Sequence, residues 1–232
     1  YVNGTGNIIL GQLTMGSGNL GENPFDGLLD DVRVYNDVRS DAEIAADAVG
    51  TLDTGALADG NLLIAYDFEP TNISPSGAVT NLGAIGTFAN ASSGVATQPA
   101  LQFDGGDIVT AADAGLALGT GNFTIEAVVS VNAPFGANRT ILSIGDFAGN
   151  QGVALGVNAS GYILGSNAFV GGPSDSVDIT DGQPHHVAMV RDGANLSLYV
   201  DGDLIATTTD AGSLNITSGL LGIGSYTTGN DP

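Results

Sequence analysis

The sequence predicts an all-β domain, a sandwich of two antiparallel sheets with one short helix near residues 40–48. Its 232 residues are enough for one large sandwich, and 43% of them are hydrophobic, so a sizeable core is expected. The apolar residues are mainly Val, Ile, Leu and Ala, set among 36 glycines and many Ser, Thr and Asn. This mixture favours short strands joined by tight turns, because Gly and Asn accept the positive φ of hairpin turns.

The predicted helix has a clear start signal. Ser40 and Glu43 form a capping box, in which each side chain satisfies a free N–H group at the helix start. Ile44, Ala45 and Ala46 continue the helix, and Gly50 ends it. Residues 51–61 are then rich in Gly, Asp, Thr and Ala, which indicates a linker.

The predicted strands follow in the second half of the chain. Residues 123–131 begin with alternating polarity and end in an apolar run, as expected for a strand buried in a sandwich. Residues 187–190 and 196–200 show a similar pattern. Asp201-Gly202 separates residues 196–200 from 204–208, which predicts a two-residue hairpin.

The charge and the lack of cysteine exclude several classes of function. A net charge of -21, from 25 acidic and four basic residues, disfavours binding to nucleic acid or anionic membranes. The absence of cysteine excludes a disulfide framework and thiol chemistry. No apolar run reaches membrane-spanning length, so no membrane insertion is expected within this segment.

The two ends of the sequence are similar to each other. Tyr1-Val2-Asn3-Gly4 matches Tyr199-Val200-Asp201-Gly202, and Gly16 and Pro24 match Gly224 and Pro232 in the next similar block. The offset grows from 199 − 1 = 198 to 232 − 24 = 208, so these are two repeats of unequal loop length. Together with the linker, this similarity predicts that one repeat ends before the linker and the next begins after it.

Seven blocks of the sequence resemble those of a known superfamily, in the same order. They are FDGLLDDVRVYN from Phe25 with SDAEI from Ser40, LLIAYDFE from Leu62, ALQFDG from Ala100, FTIE from Phe123, ILSIGD from Ile141, HHVA from His185 and LYVDG from Leu198. Together they resemble the laminin-G-like (LamG) domains of the concanavalin A-like lectin/glucanase superfamily. The first block resembles the closing strand and helix of these domains, and the second resembles their opening strand. The resemblance therefore implies that residues 1–48 end one repeat, residues 49–60 link it to the next, and residues 61–232 begin a repeat that lacks its closing strand. It also implies a jelly-roll β-sandwich and an extracellular setting. One departure is Pro184, where the family usually has Trp.

The resemblance also implies a rim site for calcium. In related domains calcium is held by loops that match Asp146 and Asn150, and Asn230 and Asp231, with Glu22 and Asn23 as counterparts in the first copy. Calcium prefers six to eight oxygen ligands, which carboxylates and amide carbonyls provide. The alternative interpretation is that these are ordinary turn residues.

Catalysis is not expected. His185 and His186 are adjacent in a predicted strand and point to opposite faces, so they do not ligate one metal easily. Glucanases of this fold carry closely spaced Glu and Asp on one strand, whereas Glu126 has no acidic neighbour in its strand. Asp31 and Arg33 are two residues apart and are expected to form an ion pair.

Asn-x-Ser/Thr sequons are more frequent than chance predicts. They begin at Asn3, Asn72, Asn90, Asn122, Asn138, Asn158, Asn195 and Asn215. The excess indicates N-glycosylation of a surface protein, or alternatively only a Ser/Thr-rich composition.

The sequence therefore predicts a non-catalytic repeat module of a large secreted surface protein, with an adhesive or spacer role and calcium-stiffened loops. Its partners would be neighbouring repeats or subunits of the same protein. One alternative is a filament subunit completed by strand exchange between neighbours. Another is a carbohydrate-binding module for surface glycans, with Tyr66, Tyr162 and Tyr226 as the available aromatic platforms.

Overall fold

The computed structural model of the chain describes residues 25–49, 59–67, 90–91, 95–96, 100–104, 109–112, 114–132, 138–146, 151–167, 171–209 and 214–224. These residues form fifteen strands, one α-helix and a short 3-10 helix at Ala114–Leu116. The strands and helix are β1 Asp26–Tyr35, α1 Asp41–Val49, β2 Leu62–Tyr66, β3 Asn90–Ala91, β4 Val95–Ala96, β5 Leu101–Asp104, β6 Val109–Ala112, β7 Phe123–Ser130, β8 Arg139–Asp146, β9 Gln151–Val157, β10 Tyr162–Asn167, β11 Gly171–Asp178, β12 Pro184–Asp192, β13 Asn195–Val200, β14 Asp203–Thr209 and β15 Leu220–Ile223.

The strands form two antiparallel sheets. The first sheet has the order β14-β13-β12-β7-β1-β5-β4, and β2 also pairs with β1. The second sheet has the order β11-β10-β9-β8-β15-β6-β3. The predicted jelly-roll sandwich with two antiparallel sheets and one helix is therefore confirmed.

The main core lies between the sheets and includes the first strand of the described chain. Phe25 and Phe103 are both fully buried there, with ring centroids 6.0 Å apart in an edge-to-face arrangement. Aromatic pairs prefer this geometry because the positive edge of one ring meets the negative face of the other. Residues before and after the predicted linker thus share one core.

Strand β1 lies within the first sheet and is paired along both edges. Arg33 lies opposite Glu126 of β7 on one side and opposite Ala65 of β2 on the other. Nearer its start, Leu28 lies opposite Gln102 of β5. Residues 1–48 are predicted to belong to the repeat that precedes residues 61–232 in the sequence, and this assignment stays a prediction. In space, β1 completes the sheet formed by the residues that follow it.

A bulge changes the facing of residues in the middle of β1. The sequence predicts that Asp30 and Asp31 alternate between the two faces. In the structure the register against β7 shifts between Asp30 and Arg33, and Asp31 has a φ of 45°. The extra residue interrupts the simple alternation. The predicted Asp31–Arg33 ion pair is formed, with an N–O distance of 3.5 Å.

Helix α1 covers the outer face of the first sheet. The backbone N–H and hydroxyl of Ser40 donate to the Glu43 carboxylate, and the Glu43 N–H donates to the Ser40 hydroxyl, so the predicted capping box is confirmed. Ile44 is the buried residue of the helix, and it packs against Ala188, Val190 and Tyr199. Both faces of this part of the sheet are therefore covered.

The hairpin between β13 and β14 lies against the same helix. Asp201 and Gly202 have φ values of 53° and 88°, as a two-residue hairpin turn with two positive φ angles requires, so the predicted hairpin is confirmed. A Cβ atom at Gly202 would lie 2.9 Å from the Cα of Ala45. Glycine at this position lets the helix approach the hairpin closely.

Candidate functional site

The calcium ligands expected from the sequence are mostly beyond the described residues. Asp146 ends β8 and is partly exposed. Asn150, Asn230, Asp231, Glu22 and Asn23 lie outside the residues that the structure describes. Among the described residues, no group of three or more His, Asp or Glu side chains could hold a metal ion. The calcium site therefore stays a prediction.

The charged groups that the structure does bring together lie beneath helix α1. Glu126 of β7 is completely buried. His186 Nε2 lies 3.1 Å from Glu126 Oε2, and Arg33 Nη1 lies 3.5 Å from Glu126 Oε1. The sheet positions these side chains because Arg33 and Glu126 are direct cross-strand partners. We call Arg33, Glu126, His186 and Asp47 the sub-helix cluster.

The helix contributes the remaining charge of this cluster. Asp47 lies 3.5 Å from Arg33 Nη1 and 3.0 Å from Arg39 Nη2. Arg39 also reaches Asp59 at 2.9 Å and Glu43 at 3.2 Å, and its guanidinium stacks 4.5 Å above the ring of Tyr35. Arg39 therefore joins the helix to the residues that precede β2.

The charges of the cluster compensate one another. Burial opposes ionisation of Glu126, but its hydrogen bond with His186 and the positive charges of His186, Arg33 and Arg39 lower its pKa below the usual glutamate range. Burial and the nearby Glu126 charge raise the pKa of Asp47, against the opposing effect of Arg33 and Arg39. Burial raises the pKa of the Tyr35 hydroxyl well above its usual range. The acidic and basic groups of the cluster thus face one another beneath the helix.

The two adjacent histidines have separate environments, as the sequence predicts. His186 belongs to the sub-helix cluster, whereas His185 lies near the start of the inner strand β12, between two aspartates. His185 Nδ1 is 2.8 Å from Asp201 Oδ2, and Nε2 is 3.1 Å from Asp181 Oδ1. Its two ring nitrogens are each engaged with a different carboxylate, so His185 fastens the hairpin turn to the preceding loop.

Stability should depend on the protonation of His185. Burial lowers its pKa, but the hydrogen bonds to Asp201 and Asp181 outweigh burial and raise the pKa above the ordinary histidine value. The stabilising effect is thus fully present below the unfolded pKa of about 6.5 and is lost as pH rises through the higher folded pKa. His185→Gln should lower the free energy of unfolding by up to about 1 kcal/mol at about pH 5.5, and by less at about pH 9.

Urea unfolding of both proteins at the two pH values measures this difference. Asp181→Asn is the matched variant, because it removes one of the two carboxylates that face His185. A destabilisation by His185→Gln that is equal at both pH values would contradict the assigned role of His185.

Five of the eight sequon asparagines have described side chains. Asn122, Asn195 and Asn215 are exposed, and Asn138 and Asn158 are partly exposed. The side chain of Asn158 accepts hydrogen bonds from the backbone N–H groups of Ser160 and Tyr162, inside its own hairpin. The structure does not describe the side chains of the other three, Asn3, Asn72 and Asn90. The exposed Asn122, Asn195 and Asn215 are thus more accessible to a glycan than Asn138 and Asn158, and glycosylation stays a prediction.

The prediction that Tyr66 is an aromatic platform for sugar is wrong. Tyr66 is completely buried in the main core, so it cannot stack on a carbohydrate. Tyr162 is partly exposed at the start of β10, and Tyr226 lies outside the described residues. The sequence prediction failed because β2 is buried along its whole length, whereas alternation would have exposed some of its residues.

The sub-helix cluster was not predicted from the sequence. His186 was considered only as a metal ligand and Glu126 only as a catalytic residue, so neither was connected with Arg33 or Asp47. One signal was available, because two of only four basic residues, Arg33 and Arg39, fall within a span of seven residues. Such scarce cations are expected to have acidic partners in a chain of this composition.

Comparison with known families agrees with the fold. The family model described as the concanavalin A-like lectin/glucanases superfamily matches residues 2–45 and 103–232. A search of curated protein sequences finds no match. No helix among the described residues is long and apolar enough to cross a membrane.

Two solved structures with TM-scores just above 0.5 share the fold at low sequence identity. The crystal structure titled HCR/D-Sa-GBL1/C is 14% identical with a TM-score of 0.52, over 69% of this chain and 42% of that chain. A Trypanosoma rangeli sialidase complex is 16% identical with a TM-score of 0.51, over 82% of this chain and 33% of that chain. Domains LG4-5 of the mouse laminin alpha1 chain are 16% identical with a TM-score of 0.37, over 47% of this chain and 30% of that chain. The chain thus spans less than half the length of each of these structures.

Proposed function

Because the chain belongs to the concanavalin A-like lectin/glucanase superfamily, we propose that it is a non-catalytic repeat module of a large secreted cell-surface protein, with an adhesive or spacer role. The enclosure of Glu126 carries the non-catalytic part of this proposal. A glycoside hydrolase needs two carboxylates that reach the sugar from solvent. Glu126 is 0% exposed, and helix α1 lies over its face of the sheet. Its carboxylate instead pairs with the buried side chains of His186 and Arg33.

The internal repeat supports the spacer role. Residues 1–24 are similar to residues 199–232, so the sequence carries parts of two successive repeats. Sandwiches joined in series make an extended stalk, and the large excess of aspartate keeps such a stalk soluble. An extracellular location is consistent with the superfamily and with the exposed sequons at Asn122, Asn195 and Asn215.

Calcium would stiffen loops at the rims of the module. Asp146 fits a calcium site because its carboxylate is a hard oxygen donor, partly exposed at the end of β8. Asn150 would add an oxygen ligand in the loop after β8. Strands β8 and β15 are antiparallel, with Leu221 opposite Ile144 and Ile223 opposite Leu142, so the loop after β15 begins toward the other end of β8. Asn230 and Asp231, with Glu22 and Asn23 as counterparts in the first copy, would therefore belong to a second site.

Calorimetry tests the calcium part directly. Extracellular calcium modules have dissociation constants of about 0.1–1 mM, so calcium at about 10 mM should raise the melting temperature by several degrees. Asp146→Asn should remove most of that increase, whereas Asp203→Asn, an exposed aspartate at the start of β14, should preserve it. An equal melting temperature with calcium and with a chelator would refute calcium stiffening.

The position of β1 favours a second candidate function, a subunit of an extracellular filament. A strand that is paired along both edges and joined to the rest by a short connection is suited to donation between neighbours. Subunits that each donate this strand to the next would form an open chain.

A further inference from the structure

Three exposed sequon asparagines lie at one end of the sandwich. Asn122 directly precedes β7, and Asn195 begins β13. Strand β12 lies between β7 and β13 and is antiparallel to both, so β7 and β13 begin at the same end of the first sheet. The Asn122 side-chain oxygen accepts a hydrogen bond from the Gly193 N–H at 2.9 Å, and Gly193 lies two residues before Asn195. Since two residues span at most about 7 Å, Asn122 and Asn195 are close neighbours.

Asn215 reaches the same end from another part of the chain. Gly119 and Ile216 exchange two backbone hydrogen bonds, of 2.8 and 2.9 Å, and a Cβ atom at Gly119 would lie 3.9 Å from the side-chain oxygen of Asn215. Gly119 lies three residues before Asn122, a span of at most about 10 Å. The fold therefore gathers three sequons that are 195 − 122 = 73 and 215 − 195 = 20 residues apart in the sequence. We call Asn122, Asn195 and Asn215 the sequon cluster.

A buried arginine holds together two of the segments that carry the cluster. Arg191 is buried, and its Nε donates to the carbonyl oxygen of Gly193 at 3.0 Å. Its Nη1 donates to the carbonyl oxygen of Leu214 at 2.9 Å. Gly193 lies two residues before Asn195, and Leu214 directly precedes Asn215. Because one side chain bonds to both segments, the two asparagines are held in a fixed arrangement.

The side-chain oxygens of the cluster face the protein. In addition to the bond from Gly193 to Asn122, the Asn195 oxygen accepts a hydrogen bond from the Thr209 hydroxyl at 3.4 Å. In N-glycosylation the sugar is joined to the side-chain nitrogen, and the oxygen remains a hydrogen-bond acceptor. A glycan at either position can therefore extend into solvent without breaking these contacts.

The other two sequon asparagines with described side chains lie at the opposite end. Asn138 precedes β8 and Asn215 precedes β15, and these two strands are antiparallel neighbours, so they begin at opposite ends of the second sheet. The Asn138 oxygen accepts a hydrogen bond from the Ala159 N–H at 3.1 Å, which places Asn138 beside Asn158. Both of these asparagines are only partly exposed. They provide an internal comparison for the sequon cluster.

We propose that the sequon cluster is N-glycosylated, which gives the sandwich one sugar-covered end. The inference deepens the proposed secreted module and rests on its extracellular setting. The substrate is a sugar chain activated on a lipid phosphate carrier. The asparagine nitrogen loses a proton and forms a bond to C1 of the sugar, the bond between C1 and the carrier oxygen breaks, and the lipid phosphate leaves. Three neighbouring glycans exclude protein partners from this end, so the protein contacts of the module belong to its other surfaces.

Mass spectrometry of the native protein from its natural source tests the proposal. A protease that cleaves before aspartate releases Asn195 in a peptide of residues 192–200 and Asn215 in a peptide of residues 210–230, each with a single sequon. Asn122 shares residues 113–145 with Asn138, and fragmentation of that peptide separates the two sites. We expect each asparagine of the sequon cluster to carry the added mass of a glycan in most copies, and Asn138 and Asn158 to be mostly unmodified.

Two variants of Ser197 provide a matched test in the full chain, secreted from a host that glycosylates sequons. Ser197→Ala removes the hydroxyl that the sequon requires but keeps Asn195, so the glycan on residues 192–200 should be lost. Ser197→Thr keeps a sequon and should keep the glycan. The Ser197 hydroxyl lies 2.9 Å from the Thr207 hydroxyl at the surface, and urea unfolding checks that both variants fold.

Three results would overturn the proposal. Native peptides without added mass at the sequon cluster would contradict glycosylation itself. Glycans that are as frequent on Asn138 and Asn158 as on the cluster would contradict the selection of one end. A glycan that persists on residues 192–200 of Ser197→Ala would contradict attachment at Asn195. A bare cluster on a native polypeptide of many repeats would leave the repeat module intact, because that module is tested by the mass of the polypeptide.

Discussion

Replacement of Phe25 by alanine is expected to lower the free energy of unfolding by about 4 kcal/mol, the usual cost of removing a fully buried aromatic side chain. The ring of Phe25 is 0% exposed and packs edge to face on Phe103 of β5. The loss combines buried apolar area with the cavity that remains between the sheets. Urea unfolding followed by circular dichroism measures it, with the slope of the transition expected to stay unchanged.

Leu28→Ala is the matched control for this substitution. Leu28 lies three residues further along β1 and is 37% exposed on the outer face. Its loss should be below about 1 kcal/mol, as is usual for surface positions. Equally small losses for Phe25→Ala and Leu28→Ala would show that residues 25–35 do not contribute to the core.

Arg33→Met is the second substitution with a large expected effect, again about 4 kcal/mol. Methionine keeps much of the side-chain volume but removes the positive charge next to Glu126 and Asp47. Breaking a buried ion pair from one side is costly, because Glu126 then stays buried with only part of its positive surroundings, although His186 remains 3.1 Å away. Adding Glu126→Gln to Arg33→Met should recover part of the loss, since it removes the buried charge that Arg33 no longer balances. The same urea experiment measures both variants.

Asp31→Asn is the control for the charge effect. Asp31 also pairs with Arg33, at 3.5 Å, but its side chain is partly exposed. Asparagine has nearly the same shape and tolerates the φ of 45° at this position. Its loss should stay below about 1 kcal/mol. An Arg33→Met protein as stable as the Asp31→Asn protein would contradict the importance of the sub-helix cluster.

The parts of the fold that depend on neighbouring residues are predictable from the sequence. The capping box needs only Ser40 and Glu43, three residues apart. The hairpin needs only Asp201 and Gly202, whose tolerance of positive φ matches the turn. The seven superfamily blocks, taken in order, predict the sandwich as a whole. For the capping box and the hairpin, the physical cause lies within a few residues.

The pairing of distant residues is not predictable in the same way. Nothing local to β1 indicates that it lies between β7 and β5, because strand order depends on packing of the whole sandwich. Arg33 and Glu126 are 126 − 33 = 93 residues apart, and their contact follows only from that strand order. Tyr66 was named as an available platform for sugar, but β2 is buried throughout, and that burial also depends on the packing of the whole sandwich. The calcium ligands lie mainly outside the described residues, so they remain predictions.

The mass of the native polypeptide tests the repeat module most directly. Denaturing electrophoresis and mass spectrometry of the protein from its natural source would give this mass. The account predicts a polypeptide many times heavier than the 23.1 kDa of this chain, made of successive repeats of about 200 residues. A native polypeptide of about 23 kDa would contradict the tandem stalk and would favour separate subunits that assemble by exchanging β1.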